Sequence, residues 1–201
     1  MSYGLPHTTD VNRALPKKAI YAKFNMNTAA RDRFDEDISR LVISSEISSQ
    51  SIPALAAGDI KTFYVVTVLL KRKDFDRKNI EILTKLIPQR MIIALQFEQE
   101  TMLAIFNERL FFADWRPSET VDIPLKGLTL DDVWQELVCL IGGITVQEGN
   151  TLNEQIEFNE QQRKLKDQIA KLERKIRLEP QPTKKFELHK QLISLKKKLN
   201  G

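Results

Sequence analysis

Apolar positions along this chain fall into two regimes. From residue 62 to residue 115 they run in short, strand-like bursts. From residue 152 onward they recur in threes and fours, as on one face of a helix. The run 62–70, Thr-Phe-Tyr-Val-Val-Thr-Val-Leu-Leu, is apolar on both faces and reads as a central strand covered on each side. Asp76 is placed to cap a helix whose Ile80, Leu83, Leu86 and Ile87 face the sheet and which Pro88 stops. Residues 90–97 then return as a strand, so 62–97 reads as a strand–helix–strand crossover. Residues 98–100 make a hairpin loop, 101–106 an antiparallel strand, and 109–115 a further one, giving a mixed sheet.

Around this block the pattern is weaker. Residues 1–24 read as an irregular strap, because Pro6 and Pro16 break helices and the apolar positions keep no period. Asn27 or Thr28 caps a first helix over 29–38, with Phe34, Ile38 and Leu41 at helical spacing. The β-branched run 41–47 is expected as an edge strand. Downstream, Thr129 with Asp131 and Asp132 opens a helix whose Leu130, Val133, Trp134, Leu137, Val138 and Ile141 form one stripe, ended by Gly142 and Gly143. Residues 144–150 form a linker.

The last segment departs from the rest. Residues 152–178 contain neither proline nor glycine, and Phe158, Leu165, Ile169, Leu172 and Ile176 form a seam. Residues 179–183 break the helix, and Leu188, Leu192, Leu195 and Leu199 repeat the spacing on a second one. The expectation is an α+β body over 1–149 (strap 1–24) carrying a coiled-coil-like helical hairpin over 150–201. A hairpin this short must bury its seam, whether on itself, on the body, on a partner helix or on a second copy.

Charge sharpens this division. The net charge is +4, yet residues 163–198 hold 13 Lys and Arg against 4 Asp and Glu, leaving 18 against 23 elsewhere. The basic positions outside the seam are Lys164, Lys166, Lys171, Arg174, Lys175 and Arg177 on one helix, and Lys184, Lys185, Lys190, Lys196, Lys197 and Lys198 on the other. Such a surface suits phosphate contact, docking of an acidic protein, or simple solvation. Base stacking has little support, with only Phe158 and Phe186 as aromatics in this region.

Catalytic signatures are sparse. His7 and His189 are the only histidines, and neither has metal-ligand spacing with Cys139, the single cysteine. Cys139 is expected on a buried helix face as an inert thiol. No glycine-rich phosphate loop occurs, so neither a cofactor nor a metal is expected. The one route to catalysis is a metal-dependent nuclease using Asp59 and Lys61, with Asp74, Asp76 and Glu98 near in sequence, and its D-x-K spacing is a weak signal. No apolar run is long enough to span a bilayer and no secretory leader is evident, so a cytoplasmic location is expected.

Several short stretches carry a family likeness. Gly4-Leu-Pro6, Thr9 to Arg13, Leu15 to Tyr21, Leu55-Ala-Ala-Gly58, Ile87-Pro88, Trp115-Arg116 and Leu130-Asp-Asp-Val-Trp134 together resemble a prokaryotic family, domain-of-unknown-function family 4391, over nearly the whole chain. The resemblance supplies no catalytic residue. It implies genes found beside a helicase-like ATPase and a DNA methyltransferase in phage-defence clusters. The expected role is therefore a non-enzymatic accessory or adaptor subunit docking such a partner, and DNA, through the basic arm. A metal-dependent nuclease and a homodimer joined by its coiled coil remain as alternatives.

Overall fold

The structure is a computed structural model that describes residues 3–147 and 149–200. The chain divides into two compact units, 1–144 and 145–201. The fold is α+β.

In the first unit, seven strands form one mixed sheet: β1 (Asp10–Ala14), β2 (Ile38–Ser48), β3 (Thr62–Leu70), β4 (Arg90–Phe97), β5 (Glu100–Asn107), β6 (Arg109–Phe112) and β7 (Arg116–Pro117). The order is β1-β2-β3-β4-β5-β6, with β7 paired to β5. Only β3 and β4 run parallel, and the helix between them, α3 (Arg77–Thr84), supplies the long connection that parallel neighbours need. Asp76 caps that helix, its carboxylate accepting from Lys78 N at 2.9 Å.

Both faces of the sheet are covered, which is why β3, β4 and β5 read as near-continuous apolar runs. On one face, Leu41, Val66, Val68, Ile93, Leu95 and Ala104 pack with Ile20 of α1 (Lys17–Lys23), Phe34 of α2 (Thr28–Asp37), and Ile80 and Leu83 of α3. Alternation sends Phe63 to the other face, where its ring meets Trp134 of α4 (Leu130–Gly142) edge-on at 5.6 Å. All six residues of the expected α4 stripe are buried. Thr129 and Asp132 close a full capping box, and Gly143 ends the helix in the left-handed conformation.

The N-terminal expectations need three corrections. Residues 10–14 are a strand, not part of an irregular strap: β1 pairs with β2, setting Asp10 against Ser45 and Ala14 against Val42. All five β1 side chains are exposed, so backbone bonding alone builds the strand and no alternation marks it. Consequently β2 is interior rather than an edge. Residues 17–23, also inside the expected strap, form α1 directly after Pro16, which stands in the extended region as the N-cap and so interrupts no helical hydrogen bond. Finally, Ile38 begins β2 instead of closing α2, although Phe34, Ile38 and Leu41 are all buried as expected.

The strand expected over 109–115 is shorter, ending at Phe112. Ala113 N bonds Leu103 O at 2.8 Å, the chain then leaves the sheet, and β7 returns to the start of β5. There Thr101 and Ser118 share a buried hydroxyl pair at 2.8 Å.

Candidate binding surface of the helical hairpin

The second unit is an antiparallel pair, α5 (Leu152–Leu178) and α6 (Pro182–Asn200). Thr151 starts α5 with a capping box: its hydroxyl accepts from Glu154 N at 3.3 Å while Thr151 N donates to Glu154 Oε2 at 2.8 Å. That backbone bond, with the one from the threonine hydroxyl, holds the Glu154 carboxyl below its usual range. Gln155 is buried, and its side chain bonds Gln147 N, Asn150 and Asn159, tying the preceding loop to the first turns of α5.

The seam closes within the hairpin. Ile169, Ile176 and Leu192 are buried, with Leu172, Leu188, Leu195 and Leu199 packed against them. Glu173 and Lys196 bridge the two helices at 2.9 Å, and the lysine bond pulls the Glu173 carboxyl below its usual range. Two expected seam residues fall outside this cluster: Leu165 is half-buried, and Phe158 is 44% exposed. The reason is register. With Glu173 opposite Lys196, three residues onward in α6 and four back along α5 bring Leu199 level with Ile169, and α6 ends there.

All twelve basic side chains expected outside the seam are exposed. Lys164 pairs with Glu160 at 3.0 Å and Lys196 with Glu173; among the described residues the other ten have no ion-pair partner. Lys164, Lys171 and Lys175 share one stripe of α5, seven and four residues apart, while Lys166 and Arg177 share another. On α6 the Lys190 ammonium lies 4.7 Å from the centre of the exposed Phe186 ring. The result is a helical pair with cations on several sides and the cluster around Ile169, Ile176 and Leu192 turned inward.

The nuclease candidates do not gather. Asp59 and Lys61 are both exposed just before β3, and Lys61 Nζ bonds Gly58 O at 2.6 Å. Asp74 and Asp76 follow the far end of that strand, roughly 25 Å away at about 3.3 Å per residue. Among the described residues, no group of three or more His, Cys, Asp or Glu is placed to hold a metal ion. Cys139 is half-buried rather than buried, and desolvation raises its thiol pKa, which disfavours the thiolate. His7 and His189 are exposed, His7 Nδ1 lying 3.1 Å from Asp10.

The most constrained polar group, Asp37, carries no motif that the sequence could flag. Its carboxylate is buried at the C-terminal end of α2, where Oδ1 accepts from the Arg72 guanidinium at 2.6 Å. Oδ2 accepts from Asp76 N at 2.8 Å and Asn79 Nδ2 at 2.7 Å. Thus the anion position at the start of α3, which in a strand–helix unit is a natural phosphate seat, is filled by the chain's own carboxylate. Arg72, bonded to it, is held more firmly protonated than usual.

No helix of the described residues is long and apolar enough to cross a membrane. A family model described as "Domain of unknown function (DUF4391)" matches residues 3–199. No curated protein and no solved structure matches the chain.

Proposed function

The chain belongs to the DUF4391 family, and from that premise we propose that it is a non-enzymatic accessory subunit of a DNA-targeting assembly of helicase and methyltransferase type acting against phage. Its basic hairpin is the docking face for the partner protein and for the DNA backbone. One observation carries this reading: the hairpin buries the cluster of Ile169, Ile176 and Leu192 by itself, yet leaves ten of the twelve basic side chains named above exposed and without an ion pair among the described residues. A rod of this width exceeds a major groove of about 12 Å, since each helix with side chains measures about 10–12 Å. It would lie along phosphates and bind without reading sequence.

The test is retention of duplex DNA by the purified protein at low and moderate salt. Binding should fall steeply with salt, by a log–log slope of about 0.9 for each phosphate contacted, and should be indifferent to base sequence. Replacing Lys164, Lys171 and Lys175 by Glu should lower the affinity and flatten that slope. No retention even at low salt would remove DNA from the proposal. Co-purification with the neighbouring helicase-like ATPase and methyltransferase, with and without residues 145–201, tests the docking role directly.

A further inference from the structure

A cleft of about 490 Å³ opens at the closed end of the hairpin, between the last turn of α5 and the first turns of α6, and its volume lies within the range of a small-molecule site. Leu178 and Leu188 supply its apolar wall, and Lys175, Lys184, Glu187 and Gln191 line it with polar groups. Leu178 lies two residues past Ile176, off the seam, and is 83% exposed. The link between the helices is only Glu179, Pro180 and Gln181, and it is held by its own bonds: Glu179 N donates to Lys175 O at 2.9 Å, and Gln181 N to Glu179 Oε1 at 3.0 Å. With Pro180 in the link and Pro182 opening α6, the walls of the cleft are set before anything binds.

Cations gather at this end. Residues 174–187 hold Arg174, Lys175, Arg177, Lys184 and Lys185, all exposed, against Glu179 and Glu187. Both carboxylates line the cleft, whereas Arg174, Arg177 and Lys185 stand outside it. An acidic peptide would bring its own carboxylates against that pair. A nucleotide suits the division of charge: its base is uncharged, offers N–H groups on its pairing edge and an apolar face to side chains, while its phosphates meet the cations. Among the described residues no aromatic ring lines the cleft, so the base contact is aliphatic, as where a leucine wedges into a base step.

We propose that this cleft takes one unpaired base of a DNA strand. The base lies against Leu178 and Leu188, its edge donates to Glu187, and Lys175 and Lys184 meet the neighbouring phosphates. This role rests on the hairpin's being a DNA-binding arm, and it selects the DNA: a strand with a base already out of the stack, at a bulge, a mismatch or a single-stranded end. Paired duplex must first lose pairing and stacking to fill the cleft, a cost that an unpaired base does not carry. Phosphate contacts along the rest of the two helices are indifferent to that distinction.

The test is binding of the full chain, at one moderate salt concentration, to two duplexes that differ only by a single unpaired 2-aminopurine bulged from one strand. The bulged duplex should bind at least about tenfold tighter, and its 2-aminopurine emission should rise as the base leaves its neighbours. Leu178→Ser should abolish both the preference and the rise. It should leave the helical circular dichroism unchanged, because the side chain is exposed, and leave the affinity for paired duplex and its salt slope as they were. If the serine variant loses helix, the emission from the complex of the unaltered chain decides. Equal affinity for the two duplexes, an emission that binding does not change, or a preference that Leu178→Ser leaves intact overturns the proposal while phosphate binding stands. Retention of neither duplex at low salt removes both.

Discussion

Asp37 has the clearest residue-scale consequence. Its buried carboxylate joins the end of α2, the exit of β3 and the start of α3 through Arg72, Asp76 N and Asn79. Asp37→Ala removes the acceptor shared by the Arg72 guanidinium, Asp76 N and the buried Asn79 amide and should cost about 1–3 kcal/mol in urea unfolding. Asp35 makes a pH-dependent tie between helices: it accepts from Lys17 Nζ and from the Tyr21 hydroxyl, each at 2.6 Å. Desolvation alone would raise its pKa, but the two hydrogen bonds outweigh it and hold the carboxyl below 3.8, while burial and the same carboxylate push the Tyr21 phenol upward. A carboxyl depressed in the folded state stabilises above its unfolded value. Stability from Asp35 should therefore be complete above about pH 4 and decline as pH falls through the lower folded value. Asp35→Asn should flatten the pH dependence of unfolding below pH 4, measured by urea midpoints across the acid range.

Among elements, three of the stretches that carry the family likeness prove to be joints. Ala56 pairs with Thr129 beside the start of α4, with Ala56 N to Leu128 O at 3.0 Å and Leu130 N to Ala56 O at 2.9 Å. A Cβ on Gly58 would stand 1.9 Å from the Asp131 carboxylate, which accepts from Ile60 N. Leu55-Ala-Ala-Gly58 and the Leu130 helix thus form one contact made from two distant segments. Gly58→Ala must push Asp131 aside and should cost about 1–3 kcal/mol, visible as a lower thermal midpoint. Gly4, at φ +72° with Asp122 filling the space of a side chain, is constrained in the same way. In the hairpin, the seam has few members, so Leu192→Ala should remove about 2–4 kcal/mol. Loss of helical signal ahead of the main transition would report it, because α5 and α6 form a separate compact unit.

At the scale of the whole molecule, the division of charge follows the division of structure. Residues 1–144 carry 18 basic and 19 acidic side chains, and residues 145–201 carry 13 and 8. Removing the second unit should therefore abolish salt-sensitive DNA retention while the sheet unit still unfolds cooperatively. The two readouts separate a role in binding from a role in folding.

Much of this was legible because it is local. The double-sided apolar run of β3, the capping residues Asp76 and Thr129, the α4 stripe, and the bounds of α5 all arise from neighbours within a few residues, where periodicity and hydrogen-bond chemistry act directly. The exposed basic positions of the hairpin follow from the same periodicity. What depended on the tertiary structure lies between segments distant in sequence. β1 has five exposed side chains, and only its pairing with β2 makes it a strand. Asp37 becomes a hub only when three elements converge on it, and Asp59 and Asp76 are separated only once β3 is laid between them. Phe158 leaves the seam because the Glu173–Lys196 register ends α6 short of it: spacing along α5 sets which side of the helix a residue occupies, while the length and offset of the partner helix decide whether anything covers it.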